Sequence, residues 1–352
     1  MKALRWHGQK DVRVENVPEP LPRNGEVKVK VKWCGICGSD LTEYKSGPML
    51  IPAKRPHPRT GRQAPIIMGH EFSGEVVGTG AGVTKVTAGD RVTIWPLLPC
   101  YECHWCRRGR YNECLQLATI GIGADGGFAE YVVVPERNVH KLPEGVSYEM
   151  GATAEPLAVA VRAGLRGDIM LGDQVVVIGA GTIGLLVLQV AKAAGAAQVF
   201  VIETQRLRSE LATKLGASAT FNPLEVDAGR EIAKLTDNLR ANKVIECAGI
   251  PATINMTLAV SSRAAKIVLV GISPTPVEFP FDRLLVPEKE ITTVQGYVEE
   301  EFPIALSLLA SGRVVVEPII TQKIGLAEIV EKGFETLIKN PADNIKILVS
   351  PE

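Results

Sequence analysis

The sequence predicts an α/β protein that combines a β-rich part with a doubly wound parallel sheet. Residues 26–31 alternate valine with charged side chains, the period of two expected for a half-buried strand. Residues 174–178 form an apolar run, as in a parallel strand that is buried on both faces. From residue 156 to residue 289 such strands alternate with helical stretches, which indicates βαβ units. We therefore predict one domain over residues 156–289 and another built from residues 1–155 and 290–352.

The remaining elements follow from the same two periodicities and from the Gly and Pro residues between them. Further strands of the β-rich part are predicted at 72–77, 91–94 and 129–134. The second part is predicted to contain strands at 198–202, 219–221, 243–247 and 266–270 and helices at about 182–194, 206–215, 231–238 and 252–261. The final stretch is predicted to contain strands at 291–295 and 345–349 and helices near 302–310 and 326–338. Residues 46–65 are rich in Pro, Arg and Lys and are predicted to form a long loop.

Composition and charge exclude several classes of function. The 352 residues are 46% hydrophobic and carry 39 basic and 39 acidic side chains, so the basic excess of a nucleic-acid-binding protein is missing. The amino end has no apolar segment of a secretory signal, and the apolar run at 175–190 is interrupted and too short for a membrane span. We expect a cytoplasmic protein with a small-molecule substrate and with neither a nucleic-acid nor a membrane partner.

A glycine-rich turn follows the strand at 174–178. Gly179-Ala180-Gly181-Thr182-Ile183-Gly184 fits G-x-G-x-x-G between a predicted strand and a predicted helix, the context in which this pattern indicates dinucleotide binding. The first glycine forms the turn, the second lets a pyrophosphate approach the backbone, and the third lets the helix pack on the sheet. A purely structural glycine turn is the less favoured alternative.

Glu203 ends the next predicted strand and could accept hydrogen bonds from the adenosine ribose hydroxyls, which favours NAD. Arg206 and Arg208 keep NADP open, since arginine can bind the extra phosphate of that cofactor. Gly271, after the strand at 266–270, is expected to face the nicotinamide amide through its backbone groups.

Four cysteines form a C-x2-C-x2-C-x7-C run of Cys100, Cys103, Cys106 and Cys114. Four thiolates so close together can surround one tetrahedral zinc, and a site closed by four protein ligands is structural rather than catalytic. Disulfides are the alternative, but clustered cysteines in a reducing compartment more often bind metal.

A second group of metal-binding residue types is scattered along the chain: Cys37, His70, Glu71 and Glu155. None is persuasive alone, because a lone histidine is usually structural and Cys34 with Cys37 could form a redox pair. The context of His70 is more specific. Residues 69–74 read Gly-His-Glu-Phe-Ser-Gly and are followed by Gly80 and Val83.

That stretch resembles the zinc signature of the medium-chain dehydrogenase/reductase superfamily, and the resemblance extends over essentially the whole chain. Residues 33–40 and the loop at 51–65 are most similar to the butanediol dehydrogenase and sorbitol dehydrogenase branch, with threonine dehydrogenases nearby. The resemblance implies a GroES-like catalytic domain with a structural zinc lobe, a Rossmann NAD-binding domain, two zinc ions per chain and a homodimer or homotetramer.

The resemblance also implies roles for single residues. Cys37 and His70 would bind a catalytic zinc, with Glu71 as a third ligand in exchange with Glu155, and Asp40 would hydrogen-bond His70. Ser39 would pass on the proton of the substrate.

The relay histidine of the family is replaced by Thr42, so Tyr44, Glu155 or water would have to serve instead. We therefore expect no histidine-like limb in the pH–rate profile.

The activity expected on this basis is hydride transfer between NAD and a secondary alcohol or vicinal diol, with 2,3-butanediol and acetoin as the favoured pair. A zinc ion would polarise the alcohol oxygen, and the nicotinamide would take up the hydride. Polyol or L-threonine dehydrogenase activity is the alternative. A zinc-independent reductase or a non-catalytic family member is disfavoured, because the full set of metal-binding residues is present.

Overall fold

A computed structural model describes residues 1–273 and 275–352. The strands in this part of the chain are β1 (Lys2–Gly8), β2 (Asp11–Asn16), β3 (Glu26–Gly35), β4 (Ile66–Ile67), β5 (Glu71–Thr79), β6 (Arg91–Ile94), β7 (Leu97–Leu98), β8 (Ala118–Thr119), β9 (Tyr131–Pro135), β10 (Val139–Lys141), β11 (Gln174–Ile178), β12 (Gln198–Ile202), β13 (Ala219–Phe221), β14 (Ala241–Glu246), β15 (Ser261–Leu269), β16 (Glu290–Thr293), β17 (Ile320–Gly325) and β18 (Lys346–Ser350).

The α-helices are α1 (Gly38–Ser46), α2 (Tyr148–Ala152), α3 (Ala154–Arg166), α4 (Thr182–Ala193), α5 (Arg206–Lys214), α6 (Ala228–Leu235), α7 (Pro251–Val260), α8 (Asp282–Leu285), α9 (Glu301–Ala310) and α10 (Thr336–Lys339). Short 3-10 helices lie at Cys106–Arg108, Tyr111–Glu113, Glu136–Asn138, Glu317–Ile319 and Leu326–Glu328, and a π-helical segment lies at Ile329–Glu335. None of the helices in the described residues combines the length and the apolar character of a membrane span.

The chain divides into two compact units. The first comprises Met1–Glu155, Val298–Ala310 and Ile320–Glu352, and the second comprises Pro156–Tyr297 and Ser311–Ile319. The boundary predicted at residue 290 differs from this division. Strand β16 pairs in parallel with β15, so the chain leaves the second unit only after completing its sheet.

A largely antiparallel sheet organises the first unit. Its strand order is β10-β6-β5-β3-β18-β17, and β9 also pairs with β3. The predicted alternation in β3 is observed, because Val27, Val29 and Val31 are fully buried while the lysines between them are only partly buried. β3 also pairs with β5 and with β18, so the ends of three strands meet close to Gly35.

A six-stranded parallel sheet organises the second unit, in the order β13-β12-β11-β14-β15-β16. Its central strand β11 is buried from Val175 to Ile178, as the apolar run predicts. The strand order reverses at β11, and β11 and β12 pair in parallel, so their carboxyl ends lie side by side. Ligands of open α/β sheets bind beyond the carboxyl ends of the strands where the order reverses.

Two predicted helices differ from the observed ones. Helix α6 begins at Ala228 rather than near Glu231, because the Asp227 side chain accepts a hydrogen bond from the Arg230 backbone at 3.1 Å and caps the first turn. The helix predicted at 326–338 is divided into 3-10, π and α segments. Within it Gly333 packs so closely on Ile36 that a Cβ atom would lie 2.7 Å from that side chain.

Candidate metal centres and dinucleotide site

The four-cysteine run forms a lobe between the paired strands β7 and β8. Its thiol sulphurs all lie within 4.8 Å of one another. The distance from Cys103 Sγ to Cys106 Sγ is 3.6 Å and that from Cys100 Sγ to Cys106 Sγ is 3.9 Å, far longer than the roughly 2 Å of a disulfide. All seven cysteines, each in the described part of the chain, are free.

The surroundings of the four cysteines favour the ionised thiolate form at some of them and disfavour it at others. Backbone N–H groups, chiefly that of Cys106, lower the pKa of Cys103 to about 6, while burial raises the pKa of Cys106 to about 12. Four neighbouring thiols therefore ionise together only around a cation that neutralises them. This donor set, four sulphurs at tetrahedral spacing, fits a structural zinc ion.

The second group of metal-binding residue types comes together where β3, β5 and α1 meet. Cys37 caps helix α1, His70 directly precedes β5, and Glu71 is the first residue of β5. The sulphur of Cys37, a ring nitrogen of His70 and a carboxylate oxygen of Glu71 lie within 4.8 Å of one another. Gly35 on β3 leaves room for this carboxylate, since a Cβ atom there would lie 2.2 Å from Glu71 Oε2.

Asp40 and Ser39 flank the histidine. Asp40 Oδ1 lies 3.7 Å from His70 Nδ1, longer than a hydrogen bond, so the hydrogen bond expected between them is not formed. Asp40 Oδ2 instead accepts a bond of 3.0 Å from the Cys37 backbone and completes the cap of α1. Ser39 Oγ lies 3.4 Å from His70 Nε2. His70 Nδ1 and Asp40 Oδ1 are buried without a hydrogen-bond partner in the described residues.

The electrostatics of this cluster fit a divalent cation. Burial lowers the pKa of His70, but the charges of Asp40 and Cys37 raise it well above its usual range. Burial raises the pKa of Asp40 to about 6. Glu155, in the first turn of α3, also raises the pKa of His70, so its carboxylate lies within electrostatic reach. Acidic groups thus outnumber basic ones around a sulphur, a nitrogen and an oxygen donor, the set that zinc accepts.

Lys346 is the residue of this cluster that the sequence analysis missed. Its Nζ donates to both carboxylate oxygens of Glu71, at 2.9 and 2.6 Å, and to the Ile36 carbonyl at 2.8 Å. Burial alone would lower the pKa of Lys346, but the charges of Glu71 and Cys37 and the hydrogen bonds to Glu71 raise it. The sequence did contain a sign of this role, because Lys346 begins an apolar strand and a buried lysine needs a charged partner.

Tyr44, expected as an alternative proton acceptor, and Thr42, which stands at the position of the relay histidine, both form hydrogen bonds elsewhere. The Tyr44 hydroxyl donates to Glu335 at 2.7 Å, its ring packs on Phe334, and this hydrogen bond helps to raise the pKa of Tyr44 to about 12. The structure therefore argues against Tyr44 as a base near neutral pH. Thr42 Oγ1 donates to the Gly38 carbonyl of its own helix at 3.0 Å.

The glycine-rich turn connects β11 to α4. Gly179 has φ of +90°, a conformation that favours glycine, and a Cβ atom on Gly184 would lie 1.8 Å from the Gly179 carbonyl oxygen. Gly181 is different, because a Cβ atom there would meet only an Arg208 nitrogen, at 3.9 Å. Space over Gly181 and the position of the turn directly before the N-terminus of α4 fit a bound pyrophosphate.

Glu203 lies beside this turn, at the end of β12. One carboxylate oxygen accepts from the Ala180 backbone at 2.7 Å, and the other accepts from Thr204 and Gln205 at 2.7 and 2.9 Å. The oxygen bound to Ala180, Oε2, has a second lone pair that a ribose hydroxyl could use, whereas Oε1 already accepts two backbone hydrogen bonds. Arg206 is paired with Glu210 at 2.7 Å on the surface.

Gly271 packs against the chain that follows β14. Its N–H donates to the Glu246 carbonyl at 3.1 Å, and a Cβ atom on Gly271 would lie 2.2 Å from the Gly249 backbone nitrogen. Of its two backbone polar groups, the carbonyl is therefore the one that could contact a nicotinamide amide.

Comparison with known proteins gives matches to both parts of the chain. Residues 23–144 match the alcohol dehydrogenase GroES-like domain and residues 182–311 match the zinc-binding dehydrogenase family. The chain is 41% identical to (R,R)-butanediol dehydrogenase of Bacillus subtilis over 352 residues, 100% of both proteins. It is 37% identical to L-threonine 3-dehydrogenase of Pyrococcus abyssi over 341 residues, 96% of this chain and 94% of that one.

A solved structure is similar throughout. The crystal structure of 2R,3R-butanediol dehydrogenase from Bacillus subtilis matches with a TM-score of 0.94 at 40% identity, covering 100% of this chain and 99% of that one. The predicted fold class, a GroES-like β-rich domain with a Rossmann parallel sheet, is confirmed.

Proposed function

We propose a function from one premise, that this chain belongs to the zinc-dependent alcohol dehydrogenase family. It is an oxidoreductase, and our proposal is that it transfers hydride between NAD and a secondary alcohol or vicinal diol, with 2,3-butanediol and acetoin as its substrates. The observation that carries the proposal is the convergence of Cys37 with the buried His70 and Glu71, whose three different donor atoms lie within 4.8 Å of one another.

The proposed catalytic zinc is held by Cys37 and His70, with Glu71 and Glu155 as exchanging carboxylate ligands. Zinc polarises an alcohol oxygen when bound, and NAD accepts hydride. Asp40, buried beside the ring of His70, fixes the orientation of that ring by its charge. Cys37 is held in turn by helix α1, because Asp40 also binds its backbone N–H.

We assign the first proton transfer to Ser39. Its Oγ lies 3.4 Å from His70 Nε2, so the hydroxyl is at the ligand atoms and can accept the proton of an alcohol bound there. Glu155 is the group we propose next in the path, since Tyr44 is bonded to Glu335 and Thr42 to its own helix.

The second unit is proposed to bind NAD. Gly179, Gly181 and Gly184 shape the turn that receives the pyrophosphate, and Thr182 and Ile183 supply backbone N–H groups at the start of α4. Glu203 would bind the ribose hydroxyls and repel the phosphate of NADP. Arg208 lies over Gly181 and would contact the cofactor, and the Gly271 carbonyl would face the nicotinamide amide.

We propose a second, structural zinc ion in the four-cysteine lobe, so that each chain binds two. We further propose that the protein is a cytoplasmic homodimer or homotetramer. The clustered cysteines are consistent with this location, since cysteines in a reducing compartment more often bind metal than form disulfides.

Butanediol is favoured because relatives with that name match the full length of the chain. The proposed ligand set is consistent with a diol, because a carboxylate is a harder and more exchangeable ligand than a thiolate. Such a ligand leaves room for a second substrate oxygen. Oxidation of polyols or of L-threonine is the alternative.

The test measures NADH formation by zinc-loaded protein with each butanediol stereoisomer, sorbitol, xylitol, L-threonine and 2-butanol, using NAD and NADP in parallel. We expect one butanediol isomer with NAD to give the highest kcat/KM. Activity confined to polyols or L-threonine would replace the proposed substrate by that alternative. No activity with any alcohol, with zinc present at both sites, would contradict the proposed function.

A further inference from the structure

The contact between Lys346 and Glu71 joins two charges that are almost fully removed from water. The Lys346 side chain is 3% exposed and the Glu71 side chain 1% exposed. Buried charges are costly unless they are paired, so each of these side chains depends on the other. The pair joins β18 to β5 across 275 residues of chain.

Every hydrogen of the Lys346 ammonium group is used in this contact. Two bonds go to Oε1 and Oε2 of Glu71, and the third goes to the Ile36 carbonyl. A carboxylate oxygen has two lone-pair directions, so Glu71 can still bind a metal ion. A metal ion bound by Glu71 would share the charge of that carboxylate with the Lys346 ammonium group.

Lys346 is also the basic counterpart of several acidic groups. Glu71, Cys37 and Glu155 each contribute a favourable charge interaction with it. His70, the other basic group of the cluster, is a proposed zinc ligand. A metal ion at the Cys37, His70 and Glu71 donors would therefore compete with Lys346 for the same negative charge.

We propose that Lys346 is a positioning residue that keeps Glu71 a weak and exchangeable metal ligand by holding both of its carboxylate oxygens. This inference rests on the proposed catalytic zinc site. A purely structural role is the competing explanation, in which Lys346 anchors β18 to the sheet and does not influence the affinity for metal.

The test compares Lys346→Met with the wild-type protein. Methionine keeps the length of the side chain and removes its charge, so Glu71 is left with the metal ion as its remaining partner. We expect the zinc dissociation constant of this site, measured by chelator competition, to fall by about tenfold, a change opposite in direction to the usual loss of affinity when a residue that supports a metal ligand is replaced. The visible spectrum of the cobalt-substituted protein should change as well.

Three further variants make the result specific. Lys346→Arg keeps the charge and should bind zinc no more tightly than the wild type. Lys346→Gln removes the charge but keeps hydrogen-bond donors, and it should also bind zinc more tightly than the wild type. It provides the test if Lys346→Met fails to fold. Lys323→Met removes a half-exposed lysine on the neighbouring strand β17, paired with Glu149 at 2.9 Å, and should leave the affinity and the cobalt spectrum unchanged.

The outcomes separate the two explanations. Unchanged zinc affinity in Lys346→Met and Lys346→Gln, with a thermal midpoint lowered equally with and without zinc, would overturn the inference and leave the proposed function standing. Absence of zinc binding to the Cys37 cluster in the wild-type protein would overturn both.

Discussion

The two candidate metal-binding clusters of the first unit are built in opposite ways. The four-cysteine lobe takes all its donors from residues 100–114, between two short paired strands. The cluster of Cys37, His70 and Glu71 takes its donors from a helix cap and from the start of β5, and a lysine on β18 balances its charge. The lobe offers four like donors, whereas the mixed cluster offers sulphur, nitrogen and oxygen.

This difference corresponds to the difference between a structural metal site and a catalytic one. Four thiolates complete a tetrahedral shell and leave no position for a substrate. Three unlike donors, one of them shared with an ammonium group, leave a position open. On the proposed function, the lobe would contribute stability and the mixed cluster would carry the chemistry.

The strongest test of this division is Cys37→Ser. Loss of the thiolate should remove the catalytic zinc and several kcal/mol of transition-state stabilisation, so kcat/KM should fall by roughly 1000-fold. Zinc content should drop from two ions to one, while the thermal midpoint changes little. Cys247→Ser, which alters a cysteine outside both clusters, should keep both ions, and an active Cys37→Ser variant would contradict the assignment.

Cys106→Ser should have the converse effect. A structural zinc contributes directly to folding free energy, and losing a few kcal/mol should lower the thermal midpoint by about 5–10 °C. Protein that remains folded at low temperature should keep most of its kcat. Leu115→Ala, which trims an exposed side chain of the same lobe, serves as the control for the melting experiment. Equal thermal midpoints for wild type and Cys106→Ser would remove the distinction between the clusters.

Asp40→Asn should have a smaller effect confined to the mixed cluster. Asp40 Oδ1 faces His70 Nδ1 at 3.7 Å, and removing its charge should weaken catalytic zinc binding by about 10- to 100-fold. Dialysis against increasing chelator concentrations, followed by metal analysis, measures this change. If this variant lost zinc first from the four-cysteine lobe, the assignment of Asp40 to the mixed cluster would be contradicted.

The smallest expected effect is that of Thr42→His. A histidine there adds a group that accepts protons when neutral, so alcohol oxidation should rise with pH through about 6.5, where we expect no such inflection in the wild type. The gain in rate should be smaller than the roughly 100- to 10,000-fold contributed by a fully positioned acid or base. Thr213→His, on the surface of α5, is the control, and an inflection in the wild type would contradict the expectation drawn from Thr42.

Features encoded by neighbouring residues were predictable from the sequence. The alternation in β3, the apolar run of β11 and the glycine turn all depend on side chains a few positions apart. The cysteine run is equally local. Cys37, His70 and Glu71 were found only through a resemblance, because nothing in their spacing indicates that β3 and β5 bring them together.

The features that were missed depend on distant contacts. Lys346 meets Glu71 across 275 residues, and Tyr44 meets Glu335 across 291, so neither partner can be inferred from local pattern. The boundary predicted at residue 290 differs from the observed division because a strand that ends one sheet resembles a strand that begins another. Local pattern also could not reveal the π-helical segment, where Gly333 packs on Ile36.

The discontinuous make-up of the first unit has a consequence for the order of folding. The parallel sheet of the second unit lies within residues 174–293, whereas β3 must wait for β18 to pair with it. Contacts between distant residues form slowly, because a long loop must be closed first. In pulse-labelled refolding we expect amides of β11 and β14 to become protected before those of β18. The ammonium group that balances Glu71 is then among the last to arrive, and the mixed cluster matures only after the rest of the chain has folded.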